Sequence, residues 1–138
     1  MDENYQRVVA FIEDHHVMSL ATSGEEGVHV CSLFYVFNVQ SQSFIVASSQ
    51  ETQHIKDIEK NSKIAGNILL ETDKIGEIKG LQFRGEFLSS PSLRLQGAYF
   101  KKYPYALAMV PTLWEIKLSW VKLTDNSLGF GKKIELAF

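Results

Sequence analysis

The chain has one cysteine, three prolines and no apolar run near the roughly 20 residues that cross a bilayer. No membrane span is therefore expected. A single thiol, Cys31, cannot close an internal disulfide, which fits a reducing cytoplasm. The start, Met1-Asp2-Glu3-Asn4, is acidic and lacks a signal-peptide pattern. Excess positive charge is missing too. Lys and Arg total 14 against 16 Asp and Glu, a formal charge of −2, so nothing electrostatic argues for nucleic acid. There is no HExxH, no GxSxG elbow and no GxxxxGK[ST] loop. Of the four histidines, the adjacent His15 and His16 diverge on a helix, and no i, i+4 pair occurs, so no metal site is expected.

What is present is an ordinary globular composition, 45% apolar and 22% charged, over 138 residues. That length predicts one domain, residues 1–138. Tyr5, Val8, Val9 and Ile12 fall at i, i+3, i+4 and i+7, one face of a helix that Asp2 or Asn4 can cap. Residues 17–22 read as a strand and 23–27 as a turn.

Residues 28–37 are the strongest strand. Val28, Val30, Ser32, Phe34 and Val36 line one face, and His29, Cys31, Leu33, Tyr35 and Phe37 the other. Both faces are largely apolar, so neither is expected to see much water. That suits a barrel wall with a second layer or a second subunit outside it. Residues 43–48 return as the hairpin partner, and Thr52 is the expected N-cap of a second helix.

Residues 63–71 and 80–88 are further strands. In the second, Leu81, Phe83, Gly85 and Phe87 point inward and Gln82, Arg84 and Glu86 outward. Pro91 is expected at the first position of a third helix ending near Tyr103. The last strand carries Trp114, Ile116, Leu118 and Trp120 on one face. Val121 and Leu123 then slip the phase, which predicts a bulge near Trp120. Six strands with helices between them make a mainly β fold, a small barrel with peripheral helices.

Three stretches could carry function. Residues 48–54 cluster hydroxyls where a strand gives way to a helix, and helix N-termini favour phosphate; Ser49 or Thr52 could equally be a plain cap. Leu33, Phe34, Tyr35 and Trp114 could wall a flat ring or serve as core. Gly129-Phe130-Gly131-Lys132-Lys133 brackets an aromatic with glycines beside two cations. It could close over a planar anion, dock on a partner chain or form a solvated turn.

In element order the chain resembles the flavin-binding split barrel of the pyridoxamine 5′-phosphate oxidase superfamily, and within it the small YhbP-like bacterial branch. The resemblance rests on Ser32-Leu33-Phe34-Tyr35-Val36-Phe37, Gly80-Leu81-Gln82-Phe83-Arg84-Gly85-Glu86, Trp114-Glu115-Ile116 and the tail from Thr124 to Lys133. It implies a six-stranded antiparallel split β-barrel of FMN-binding type, a homodimer, and FMN at the subunit interface. It also implies oxidoreductase chemistry on a small conjugated molecule. By position, Cys31, Ser32, Leu33, Phe34 and Tyr35 fall on the ring-contacting strand, and Ser48, Ser49, Thr52, Gln53 and His54 on the phosphate segment. The oxidases carry Arg and Lys where this chain has Gln53 and His54, and basic residues where it has Val30 and Tyr35. The missing cations would come from Arg84, Lys132 or a partner chain. The alternatives are a non-catalytic flavin or haem binder, with His29 or His54 as the axial ligand, and a dimeric scaffold without a cofactor.

Overall fold

The computed structural model describes residues 2–138. Helix α1 (Glu3–Glu13) starts at Asp2, whose carboxylate accepts the Tyr5 N–H at 2.8 Å, and buries Val8, Phe11 and Ile12. The strands are β1 (Val17–Gly24), β2 (Gly27–Asn38), β3 (Ser43–Ala47), β4 (Lys63–Leu69), β5 (Lys79–Ser89), β6 (Leu113–Asp125) and β7 (Lys133–Ala137). Helix α2 (Gln53–Lys60) links β3 to β4, and α3 (Leu93–Lys102) with a 3-10 turn (Pro104–Met109) links β5 to β6. None of these helices is long and apolar enough to cross a membrane.

All pairings are antiparallel, in the order β3-β2-β1-β4-β5-β6-β7. A further β3–β6 ladder closes the first six strands into a ring. One edge of β6 is shared in series: residues 113–117 pair with β3, and residues 120–124 pair with β7. The barrel therefore has six strands as expected. The tail adds a seventh that extends the sheet beyond the point of closure.

The interior is a single apolar cluster in which Phe44 meets the rings of Tyr35, Phe37 and Phe83 at 5.0, 5.3 and 5.1 Å. Such pairs each add about 0.5–1.5 kcal/mol beyond their buried area. A second cluster lies outside the barrel, where α3 covers Ile45 with Leu95, Tyr99 and Leu113. Helix α3 is capped by Ser92, whose hydroxyl accepts the Leu95 N–H at 3.3 Å. Pro91 therefore precedes the cap rather than opening the helix.

The bulge falls where expected. Arg84 pairs with Trp120 and Gly85 with Leu118, so Ser119 is the extra residue. Only glycine fits at position 85, because a Cβ there would sit 2.3 Å from the Lys117 carbonyl oxygen. The slip turns Trp120 away from the face it shares with Trp114 in simple alternation. Its ring lies under the Arg84 guanidinium, 4.2 Å away, and its Nε1 donates to Glu135 at 3.0 Å.

Strand β2 has one finished face. Tyr35 and Phe37 are buried, whereas Val28, Val30 and Phe34 are 71%, 70% and 58% exposed. The expectation that neither face meets water thus fails for the isolated chain. The outer strip is covered by α3 only from Val36 onward.

Candidate functional site

The hydroxyl-rich segment, residues 48–54, is held from behind by β6. The Ser48 N–H donates to the Thr112 carbonyl at 3.0 Å, and the Trp114 indole donates to the Ser48 carbonyl at 2.9 Å. Trp114 is itself buried against Phe87. It therefore props the segment and does not present its face to a ligand. Ser48 Oγ lies 2.5 Å from His54 Nε2, with Thr52 Oγ1 at 3.3 Å from the same nitrogen. Burial holds the His54 imidazole below its usual pKa, with the Asp57 charge acting the other way. His54 is thus a neutral partner for hydroxyls near pH 7 and not a ready replacement for a lysine.

Thr52 occupies the N-cap position of α2 but makes no capping bond; its hydroxyl donates to the Ser49 carbonyl at 2.8 Å. The first N–H groups of α2 are left without a side-chain cap, which is where an anion would be received. The segment opens on a cleft of about 500 Å³ between α3, the 3-10 turn and the end of β3. Ser48, Ser49, Glu51, Tyr99, Met109 and Thr112 are among its walls, and Glu51 is the sole charge among them. Hydrogen-bond donors for a phosphate are thus in place, and the cations are not.

The ring-contacting strand divides. Ser32 and Phe34 face outward and are exposed, whereas Cys31 and Leu33 are half-buried on the inner face. Burial also pushes the Cys31 thiol up, away from thiolate chemistry. Tyr35 departs furthest from the expectation. It is fully buried, its hydroxyl donates to the Ile12 carbonyl at 2.6 Å, and its ring belongs to the core.

Gln53 is also diverted. Its amide donates to Asp57 at 2.9 Å, alongside the Thr22 hydroxyl at 2.8 Å and His29 Nδ1 at 2.9 Å. Asp57 is 2% exposed, so this network clamps α2 onto the β1–β2 hairpin. The partners are 28 and 35 residues away in sequence, and no local spacing announces them.

Lys132 lies in the turn between β6 and β7, which Gly129 and Gly131 form at φ of 133° and 72°. Trp114 is the second residue of β6 and Asp125 the last. At about 3.3 Å per residue, Trp114 and Asp125 are roughly 35 Å apart along the strand. Within one chain, then, Lys132 does not meet residues 48–54. A different cation stands beside β2. Lys102 Nζ donates to the Tyr35 carbonyl at 3.2 Å, and the Tyr103 hydroxyl donates to the same oxygen at 2.5 Å.

The closed six-stranded ring with helices at its rim defines a split-barrel fold of the pyridoxamine 5′-phosphate oxidase type. Solved structures share it. A haem-binding protein from Mycobacterium smegmatis superposes at TM-score 0.80 with 12% identity over 99% of this chain, which spans 59% of that protein. A putative pyridoxamine 5′-phosphate oxidase from Listeria innocua gives 0.71 with 13% identity, over 88% of this chain and 98% of its own. A FAD-binding protein from Mesorhizobium loti gives 0.67 with 14% identity, over 85% and 89%.

No protein-family model matches the chain. Full-length relatives do. The UPF0306 protein of Campylobacter jejuni is 38% identical over 136 residues, covering 98% of this chain and 97% of that protein. That of Photorhabdus laumondii is 34% identical over 140 residues, covering 96% and 94%. The chain belongs to the UPF0306 (YhbP) family.

Proposed function

We propose that the protein is a single-domain homodimeric flavoprotein of the cytoplasm that binds FMN and acts as an oxidoreductase on a small conjugated molecule. One observation carries the reading. The hydroxyl and imidazole groups of Ser48, Ser49, Thr52 and His54 gather at a helix start left without a side-chain cap. Ser48 and Ser49 of this group line a cleft of about 500 Å³ with Tyr99 of α3 and Met109 of the 3-10 turn. The donor set fits a phosphate monoester, and the outer face at Ser32 and Phe34 fits a flat ring.

When bound, FMN supplies the electron-transfer chemistry. The chain's own residues supply the rest. The Ser49 hydroxyl and the α2 amides would bind the phosphate, and Thr52 would hold the Ser49 backbone in place for it. Trp114 fixes the Ser48 backbone beneath it, and Phe34 walls one side of the ring. A second copy covers Val28 and Val30, excludes water, and brings its own Lys132 toward a cradle whose walls hold no lysine or arginine.

The test is FMN titration of the Ser49→Ala/Thr52→Ala variant. Affinity should fall by about 1–3 kcal/mol, the scale of lost hydrogen bonds to a charged group. Unchanged affinity would place the phosphate elsewhere.

A haem reading draws on His29 and on the likeness to the mycobacterial haem-binding protein. Asp57 holds His29 Nδ1 and leaves Nε2 without a hydrogen-bond partner among the described residues, whereas His54 Nε2 is engaged by Ser48. Haemin added to the purified protein would then give a Soret band that His29→Ala removes, and a spectrum without one eliminates this alternative. A scaffold that binds nothing would give neither signal.

A further inference from the structure

We propose that Lys102 is the anion-recognising residue of a substrate subsite at Phe34 and Tyr103, one that takes a small aromatic ring bearing a single carboxylate or phosphate. The proposal rests on the reading of the outer face of β2 as the wall for a flat cofactor.

Lys102 is the last residue of α3 and is half-buried. Its ammonium folds back over two aromatic rings, 5.2 Å from the Tyr35 centroid and 5.3 Å from that of Tyr103. Among the described residues no carboxylate lies within ion-pair distance of it. One of its three N–H bonds goes to the Tyr35 carbonyl, which leaves donors to spare. Burial lowers its pKa, against the influence of Glu13. A cation drawn partly out of water without a counterion is costly, and an arriving anion offsets that cost.

The surroundings specify the rest of the ligand. Phe34 and Tyr103 meet edge to face at 5.7 Å, an aromatic corner whose Phe34 side is open. A ring can pack there while its acid group reaches the ammonium. The Tyr103 hydroxyl, tied to the Tyr35 carbonyl beside Lys102, keeps its proton; its pKa is pushed up to about 12 mainly by burial.

The plain alternative is a lysine that only complements the negative end of the α3 dipole. Lys101, its exposed neighbour in the same turn, serves that role equally well and provides the control.

The experiment is calorimetric titration of the full chain, with and without FMN, using benzoate, phenyl phosphate and neutral benzyl alcohol. Both anions should bind the parent. Affinity for them should fall about tenfold or more in Lys102→Met, the scale of a lost charged hydrogen bond. It should largely survive in Lys102→Arg and be unchanged in Lys101→Met. Benzyl alcohol should not distinguish the variants, and whichever anion binds tighter names the acid group. If Lys102→Met melts well below the parent, Lys102→Gln replaces it, since its amide can keep the bond to the Tyr35 carbonyl without the charge.

The proposal is overturned if neither anion binds the parent, if the anions bind Lys102→Met as well as the parent, or if loss of the charge dissociates the dimer. Weakened FMN binding in Lys102→Met also overturns it, because the lysine then serves the cofactor phosphate. If FMN fails to bind the parent while the anions still depend on Lys102, the flavin reading falls and the subsite stands.

Discussion

The two faces of β2 carry much the same chemistry and meet opposite fates. On the inner face His29 is held by Asp57, and Tyr35 and Phe37 disappear into the core. Among the described residues no buried side-chain polar atom lacks a partner. On the outer face Val28, Val30 and Phe34 form an open apolar strip. Isolated exposed apolar residues are normal, but a contiguous strip on one strand marks a surface that something else covers. The barrel needs only one apolar face of β2 to fold. The other is surplus to folding, and it is where a second copy and a flat ligand would sit.

The largest effect should come from breaking the inner face at Asp57. Asp57→Ala leaves the Thr22 hydroxyl, the Gln53 amide and His29 Nδ1 without their shared acceptor. We expect Tm to fall by roughly 5 °C or more in a thermal melt. A fall of a degree or less would mean that the network does not hold α2. The same group sets a pH dependence. Hydrogen bonds, first from Gln53 and then from Thr22 and His29, hold its carboxyl below 3.8 in spite of burial. A depressed carboxyl stabilises the fold fully above its unfolded value and loses that contribution as pH falls through the folded one. The Tm gap between the parent and Asp57→Asn should therefore be steady above pH 3.8 and close below it.

Breaking the outer face should leave the fold intact and change only the assembly. Val28→Glu with Val30→Glu places two charges where the second copy would pack. The parent is expected to sediment as a dimer at micromolar concentration. The double variant should keep the parent's circular dichroism and sediment as a monomer. A double variant that remains dimeric would move the interface to another surface, such as the exposed stretch around Tyr105, Met109 and Val110.

This contrast also explains which parts of the molecule were legible in the sequence. Alternation in residues 80–88 named the buried Leu81, Phe83, Gly85 and Phe87 correctly, because the period-2 rule is local. The phase slip at Val121 disclosed the bulge for the same reason, although its place at Ser119 and its consequence for Trp120 needed the register with Arg84. In residues 28–37 alternation separated the two faces but could not say which one the barrel would use. The site was less legible because its geometry comes from distant partners. Gln53 and Tyr35 lie in segments expected to hold the cofactor, yet Asp57 claims one and the Ile12 carbonyl the other. The tail strand β7 was missed because Ile134, Leu136 and their neighbours are too few to signal a strand without the edge of β6.

Tyr35→Phe sharpens the comparison at a single oxygen. If Tyr35 belongs to the inner face, losing its bond to the Ile12 carbonyl should cost about 1 kcal/mol of stability in denaturant titration and leave FMN affinity unchanged. A variant with parental stability and weakened FMN would return Tyr35 to the ligand.

The smallest effect on the fold is expected at Lys132. Its backbone does the structural work, since its N–H donates to the Gly129 carbonyl and its carbonyl accepts the Asp125 N–H, each at 2.9 Å. The side chain is exposed, so Lys132→Ala should change stability by less than about 0.5 kcal/mol. Ligand binding is the discriminating readout. A lysine roughly 35 Å along β6 from the cradle can reach a phosphate there only from the second copy. Lys132→Ala should then weaken FMN at low ionic strength, and the difference should shrink as salt is added. The same substitution in the monomeric Val28→Glu/Val30→Glu background, which leaves Phe34 in place, should make no difference, because the partner that carries the lysine is gone. FMN affinity unaffected by Lys132→Ala in low-salt dimer would leave the tail as packing on its own barrel. The missing cation would then have to be sought on the near side of β2, where Lys102 already stands.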